Sequence, residues 1–206
     1  MTPQLIQRRK TAIVIVGMQE KIFRLGKPDA EDRAEGITDE LYRRCRVAKY
    51  SFGDLDDGIL RVCELLQFAR VHHMPVILGN FAGAGNILPQ VRECAPEAKL
   101  VELSWHPSLF EYVDFRNELS RLGIMDLVIG GYPLSGSIRQ TIDYALDIAE
   151  MLIGRTIEVL APANAMFEER GTIDSEIETS WNFLRGRTRF FETVELLLRE
   201  LEHAQA

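Results

Sequence analysis

The sequence predicts an α/β fold: a three-layer α/β/α sandwich around a mainly parallel sheet of five or six strands. Three observations lead there. Short β-branched runs alternate with stretches of helical periodicity, the pattern of repeated strand–helix–strand units. The strongest of these runs is β-branched and almost wholly apolar, as suits a strand covered on both faces. Glycine punctuates several of the boundaries between the two patterns.

Thr11–Val16 (Thr-Ala-Ile-Val-Ile-Val), ended by Gly17, is the clearest strand. Ile59–Val71 reads as a helix, with Ile59, Val62, Cys63, Leu66 and Ala69 at helical spacing. Pro75–Leu78 reads as a second strand stopped by Gly79, and Lys99–Leu103 as a weaker third. Phe115–Leu122 is helical, with Gly123 as its C-cap. Asp126–Ile129 is a fourth strand ended by Gly130 and Gly131. Ile138–Leu152 reads as one long helix before Gly154, and Thr156–Leu160 as a fifth strand. Asp174–Leu184 and Glu192–Glu202 close the chain as helices, with a sixth strand over Thr188–Phe191. The charged excursion Arg24–Asp57 interrupts this rhythm. It is expected to be a lid or an oligomer contact, or else a plain surface excursion, with a helix around Asp39–Ala48 capped by Thr38.

The chain has 206 residues, 46% of them hydrophobic and 27% charged, which suits a single domain over residues 1–206. A net charge of −7 argues against a nucleic-acid partner. No apolar run approaches the ~18 residues that span a membrane, so no membrane association is expected. Met1–Lys10 is polar and basic, without the apolar stretch of a signal peptide. The three cysteines, Cys45, Cys63 and Cys94, are odd in number and lack metal-ligand spacing. Together these features predict a cytoplasmic protein in a reducing compartment.

Ligands of an open parallel sheet bind beyond the carboxyl ends of its strands. Those ends deliver Gly17 to Glu20, Gly79 to Phe81, Ser104 to His106, Gly131 to Ser137, and Ala161 to Asn164. This rim has one carboxylate, Glu20, and one imidazole, His106, with no Asp-x-His pattern. No metal site and no cofactor are therefore expected. Phe81, Trp105, Tyr132 and Pro133 are candidates to line a pocket for a small aromatic or amide-like ligand, and the three aromatic residues are equally consistent with core packing or dimer contacts. His72 and His73 precede the second strand and belong to the opposite edge. Gly83-Ala-Gly85 lacks dinucleotide spacing and reads as a flexible loop.

Four segments carry a resemblance to a known family: Thr11-Ala-Ile-Val-Ile-Val-Gly-Met-Gln-Glu-Lys-Ile-Phe23, Ser104-Trp-His-Pro-Ser-Leu-Phe110, Gly131-Tyr-Pro-Leu-Ser-Gly-Ser-Ile-Arg-Gln-Thr141 and Val159-Leu-Ala-Pro-Ala-Asn-Ala165. In this order they resemble the isochorismatase-like hydrolases of the cysteine-hydrolase superfamily, and among them the small isochorismatase-domain branch. The resemblance implies a Rossmann-like sheet and an Asp/Lys/Cys triad. At the matching positions this chain has Gly17, Ser104 and Ser137. All three catalytic groups are replaced, and a nucleophile needs an adjacent base or a lowered pKa.

The resemblance thus implies a catalytically inactive relative that binds a small molecule or serves as an assembly module, as a homo-oligomer of two or more copies. The alternative is a hydrolase of a small amide, ester or vinyl ether with a relocated mechanism. Glu20 or His106 would then be the base, and Ser137 the nucleophile or a polar anchor. A third reading makes the chain an interaction subunit whose pocket is filled. The resemblance also implies a cis peptide before the nucleophile position, expected here at Tyr132–Pro133. The N–H groups of the helix after Ser137 could bind an anion, with helix capping by Ser135 and Ser137 as the plainer role. That helix exceeds the family's usual one by about one turn.

Overall fold

This computed structural model describes residues 10–24, 30–34, 36, 38–40, 48–104 and 108–203. Trp105 and His106 lie outside the described residues, as do Cys45 and most of the helix expected over Asp39–Ala48.

In chain order the elements are β1 (Thr11–Val16), α1 (Glu20–Phe23), α2 (Ala30–Ala34), β2 (Ala48–Lys49), α3 (Leu55–Val71), β3 (Val76–Phe81) and α4 (Pro89–Cys94). There follow β4 (Lys99–Leu103), α5 (Val113–Leu122), β5 (Asp126–Gly131), α6 (Arg139–Asp147), α7 (Ala149–Ile153) and β6 (Glu158–Pro162). The chain closes with β7 (Glu168–Glu169), α8 (Asp174–Arg187), β8 (Arg189–Phe191) and α9 (Val194–His203). Six strands form one sheet in the order β4-β3-β1-β5-β6-β8, and every pairing in it is parallel. β2 and β7 form a separate antiparallel ribbon, with Ala48 opposite Glu169 and Lys49 opposite Glu168.

β1 organises the sandwich because both of its faces are apolar. All six of its residues are buried. Ile13 and Ile15 join the core beneath α3, α4 and α9, through residues such as Leu66, Val91 and Leu197. Ala12, Val14 and Val16 join the opposite core, with Leu119 of α5, Ile142 of α6, Ala149 of α7 and Leu184 of α8. The two-residue alternation of side chains along a strand produces these two cores.

The structure corrects several boundaries. Gly79 does not stop β3; it pairs with Val16 and Val101 inside the strand. Gly130 and Gly131 likewise lie inside β5, opposite Ile15 and Val16. The fifth strand is shifted to Glu158–Pro162, and α3 begins earlier, where the Asp54 carboxylate accepts the Asp56 N–H at 3.3 Å. The expected long helix Ile138–Leu152 is three pieces: a π-helical turn over Leu134–Ile138, then α6 and α7. Ile148 leaves the helical region at φ −125°. The apolar stripe of Ile142, Ala145 and Ala149 stays buried across that break, which is why the periodicity reads as continuous. Ala48, expected as the end of a helix, is in β2. The sixth strand is present as β8, and Gly123 caps α5 with a left-handed backbone.

One contact sets the geometry of the sheet's carboxyl edge. The Tyr132 N–H donates to the Val16 carbonyl at 2.9 Å, drawing the end of β5 against the end of β1. At Gly131, with φ +108°, a Cβ would lie 2.1 Å from that carbonyl oxygen. No side chain fits there, and no L-residue adopts that backbone cheaply. Gly131→Ala is therefore expected to cost on the order of 3 kcal/mol or more in urea unfolding; a loss below about 1 kcal/mol would contradict the packing described.

Candidate functional site

The carboxyl ends of β1, β3, β4 and β5 bring the expected rim together, but in a different chemical state. β1 ends at Gly17, whose N–H donates to the Gly79 carbonyl at 2.9 Å. Gly17 has φ +66°, and a Cβ there would lie 2.6 Å from the Tyr132 carbonyl oxygen and 2.8 Å from Cε2 of Phe81. The Phe81 ring and the Tyr132 backbone thus occupy the space into which a side chain at 17 would project. Tyr132 and Pro133, joined by a cis peptide as expected, sit directly beyond. Tyr132 is buried, and its ring meets Phe23 edge-on at 6.5 Å between centroids. Burial foremost, then the Glu169 and Glu168 carboxylates, push its phenol well above the usual tyrosine range. At neutral pH it is a neutral hydroxyl, not a base.

The other two triad-matching positions behave differently from each other. Ser104 follows β4 and is exposed; its N–H donates to the Tyr112 phenol oxygen at 2.7 Å, with the two hydroxyls 3.4 Å apart. Ser137 is buried in the Leu134–Ile138 turn. The serine that meets a carboxylate is Ser135. Its hydroxyl and its N–H donate to Glu168 at 2.7 and 3.0 Å. Glu168, fully buried, also accepts the Glu169 N–H at 2.8 Å. Three donors on one carboxylate leave it an anchor rather than a free base. The capping role expected of Ser135 is corrected: neither the turn nor α6 has a side-chain cap hydrogen bond. The anion expected at the N–H groups near Ser137 has a counterpart one turn earlier, supplied by the chain's own Glu168.

Glu20 opens α1 half-buried, where its carboxylate accepts from the Asn86 side chain at 3.3 Å. Its neighbour Gln19, placed on the rim by the sequence but given no role there, is fully buried. The Gln19 amide donates to the carbonyls of Phe81 at 3.0 Å and Gly85 at 2.8 Å, and accepts the Phe81 N–H at 2.6 Å. This clamp holds the Gly83–Gly85 segment, expected to be a flexible loop, against the start of α1 and keeps Phe81 over Gly17. A buried amide with backbone partners has no sequence signal beyond its position at a strand end. Asn80 was likewise placed on the rim without a role; its side-chain oxygen is buried with no hydrogen-bond donor among the described residues.

Away from the rim, His73 lines a cavity of about 570 Å³ at the opposite edge, with Met74 and Pro75. Cys63 and Cys94 lie on α3 and α4, far in the topology from the nucleophile position, and burial foremost pushes the Cys63 thiol up to about 12. Among the described residues no cluster of His, Cys, Asp or Glu could hold a metal ion. No helix is long and apolar enough to cross a membrane, among the described residues.

No protein-family model and no curated protein matches the sequence. Solved structures do match it. YcaC from Pseudomonas aeruginosa, in a structure with hexane-2,5-diol and covalent acrylamide, superposes with a TM-score of 0.73 at 15% identity, over 98% of this chain and 85% of that one. The Escherichia coli YcaC gene product, an octameric hydrolase of unknown specificity, gives 0.72 at 14% identity, over 98% and 84%. An isochorismatase-like hydrolase from Alkaliphilus metalliredigens gives 0.68 at 15% identity, over 96% and 99%. At such identities the likeness is one of fold: the chain has the isochorismatase-like α/β sandwich.

The Ser135–Glu168 pair yields a direct test. Ser135→Ala removes a donor from a buried carboxylate and is expected to cost about 1–3 kcal/mol in denaturant unfolding, whereas no change would show the bond to be idle.

Proposed function

We propose that this isochorismatase-like chain is not a hydrolase but a binding or assembly module, working as a homo-oligomer, in which the fold's reaction centre has been built over. The observation that carries the proposal is at Gly17, where the Phe81 ring and the Tyr132 carbonyl lie within 2.8 Å of any Cβ. The carboxylate that the resemblance calls for is missing, and so is the space for it. Without an acid at 17 and a thiol at 137, neither amide attack nor vinyl-ether protonation has its reagent. Ser137 is a weaker nucleophile than a thiol and would need a base. Of the two bases considered for it, Glu20 bonds to Asn86 and His106 is outside the described residues. Glu168, the buried carboxylate of the rim, already accepts three hydrogen bonds from Ser135 and Glu169.

The octameric neighbour of the same fold supports self-association. Phe81 and Tyr132, expected to line a ligand pocket, serve in this reading as its filling; Pro133 packs against the turn that follows, with Trp105 outside the described residues.

Two measurements test the proposal together. Purified protein is expected to release no product from amide, ester or vinyl-ether substrates, and to run in light scattering as one species larger than a monomer. Turnover that disappears in Ser137→Ala would overturn the inactive reading, and a strictly monomeric chain would overturn the assembly reading.

A further inference from the structure

A second cavity, of about 670 Å³, lies at the far carboxyl edge of the sheet, beyond β6 and β8. Its volume is in the range of small-molecule sites. Its walls are aromatic: Tyr50, Phe52, Trp181 and Phe190 line it. Tyr50 and Phe52 lie 5.6 Å apart between centroids, Phe52 and Trp181 5.6 Å, and Trp181 and Phe190 6.3 Å. Phe52 is 51% exposed, so its ring is accessible to a solute. Tyr50 and Phe52 come from the end of the charged excursion, which the β2–β7 ribbon and a bond from Lys49 Nζ to the Thr172 carbonyl at 2.8 Å hold in place. The Tyr50 hydroxyl donates to the Asn164 carbonyl at 2.8 Å, so its ring is oriented by the floor of the cavity.

The charges around these rings are unequal. Asp57 and Glu192 line the cavity, and neither forms an ion pair among the described residues. Arg61 lines it too, but is held by Glu64 at 2.9 Å and Glu195 at 2.6 Å, two carboxylates for one guanidinium. Arg185 stands 5.3 Å over the Phe190 ring. The lining itself has two carboxylates and two guanidiniums, but Glu64 and Glu195, outside the lining, offset Arg61, and the chain as a whole carries −7. Aromatic faces present negative electrostatic potential, and several together with surplus carboxylates attract a positive, weakly hydrated group.

We propose that the cavity formed by Tyr50, Phe52 and Trp181, with Asp57 and Glu192 at its margin, is a binding site for an organic cation bearing an ammonium or N-alkylated ring. The site is separate from the Gly17 end of the rim. Between them runs a chain of rings, from Tyr132 through Phe23 and Phe167 to Tyr50, with centroid steps of 6.5, 4.9 and 5.3 Å. The proposal does not rest on whether the rim is catalytic.

Calorimetric titration of the full chain with benzyltrimethylammonium, and in parallel with benzoate, tests it. Saturable binding of the cation is expected, with no saturation by benzoate. Phe52→Ala should weaken the cation about tenfold or more, as loss of one cage wall implies. The pair Asp57→Asn with Glu192→Gln should weaken it as well, whereas Met151→Ala, on a surface residue outside the cavity, should leave it unchanged. Phe52 and Met151 are both largely exposed, so these variants are expected to fold. Benzoate binding as tightly as the cation, absence of saturation by the cation at millimolar concentration, or unchanged cation binding in Phe52→Ala would each overturn the proposal.

Discussion

The close approach of the β1 and β5 backbones at their carboxyl ends constrains everything around it. Val16 and Gly131 touch main chain to main chain, and Gly17 and Tyr132 continue the contact one residue on. A parallel sheet normally opens at this end, and its loops diverge to make a crevice. Here the chain leaves β1 through a left-handed Gly17, turns at once into Gln19, and fastens the loop after β3 across the opening. Phe81 is carried over Gly17 by that clamp. The crevice is narrowed by backbone geometry first and by an aromatic ring second.

The polar groups of the rim follow from the same geometry. Three of them hold the chain: Gln19 on the Phe81–Gly85 loop, Tyr112 on Ser104, Glu168 on the turn after the cis peptide. A buried carboxylate is costly unless it is hydrogen-bonded, and Glu168 has its donors from Ser135 and from its own neighbour. The resemblance to isochorismatase-like hydrolases led to positions 17, 104 and 137. The structure adds what stands there now, which is a set of structural hydrogen bonds and a ring.

Much of the fold was legible because its signals are local. Five consecutive apolar residues after Thr11 made β1 unmistakable, and Gly123 ended α5 where a left-handed cap was expected. Gly79 and Gly131 were misread for a physical reason. Glycine marks a turn when it supplies torsional freedom, but it also marks close approach. At Gly79 a Cβ would come 3.0 Å from Leu103, and only the partner strand reveals this. The site was less legible because its bonds are long-range. Gln19 meets its loop 62 and 66 residues away, and Ser135 meets Glu168 across 33. Tyr50 and Phe52 were hidden inside a segment that reads as charged surface; their partners Phe167 and Trp181 lie in the second half of the chain.

The central claim is that Phe81 fills the space a side chain at 17 would need, and a double-mutant cycle of unfolding free energies measures it most directly. The cycle comprises Gly17→Asp, Phe81→Ala and their combination. The packing predicts strong coupling: Gly17→Asp should be much less damaging when Phe81 has been truncated, by about 1 kcal/mol or more. Additive effects within about 0.5 kcal/mol would mean that the ring does not occupy that space, and the account of a built-over reaction centre would fail.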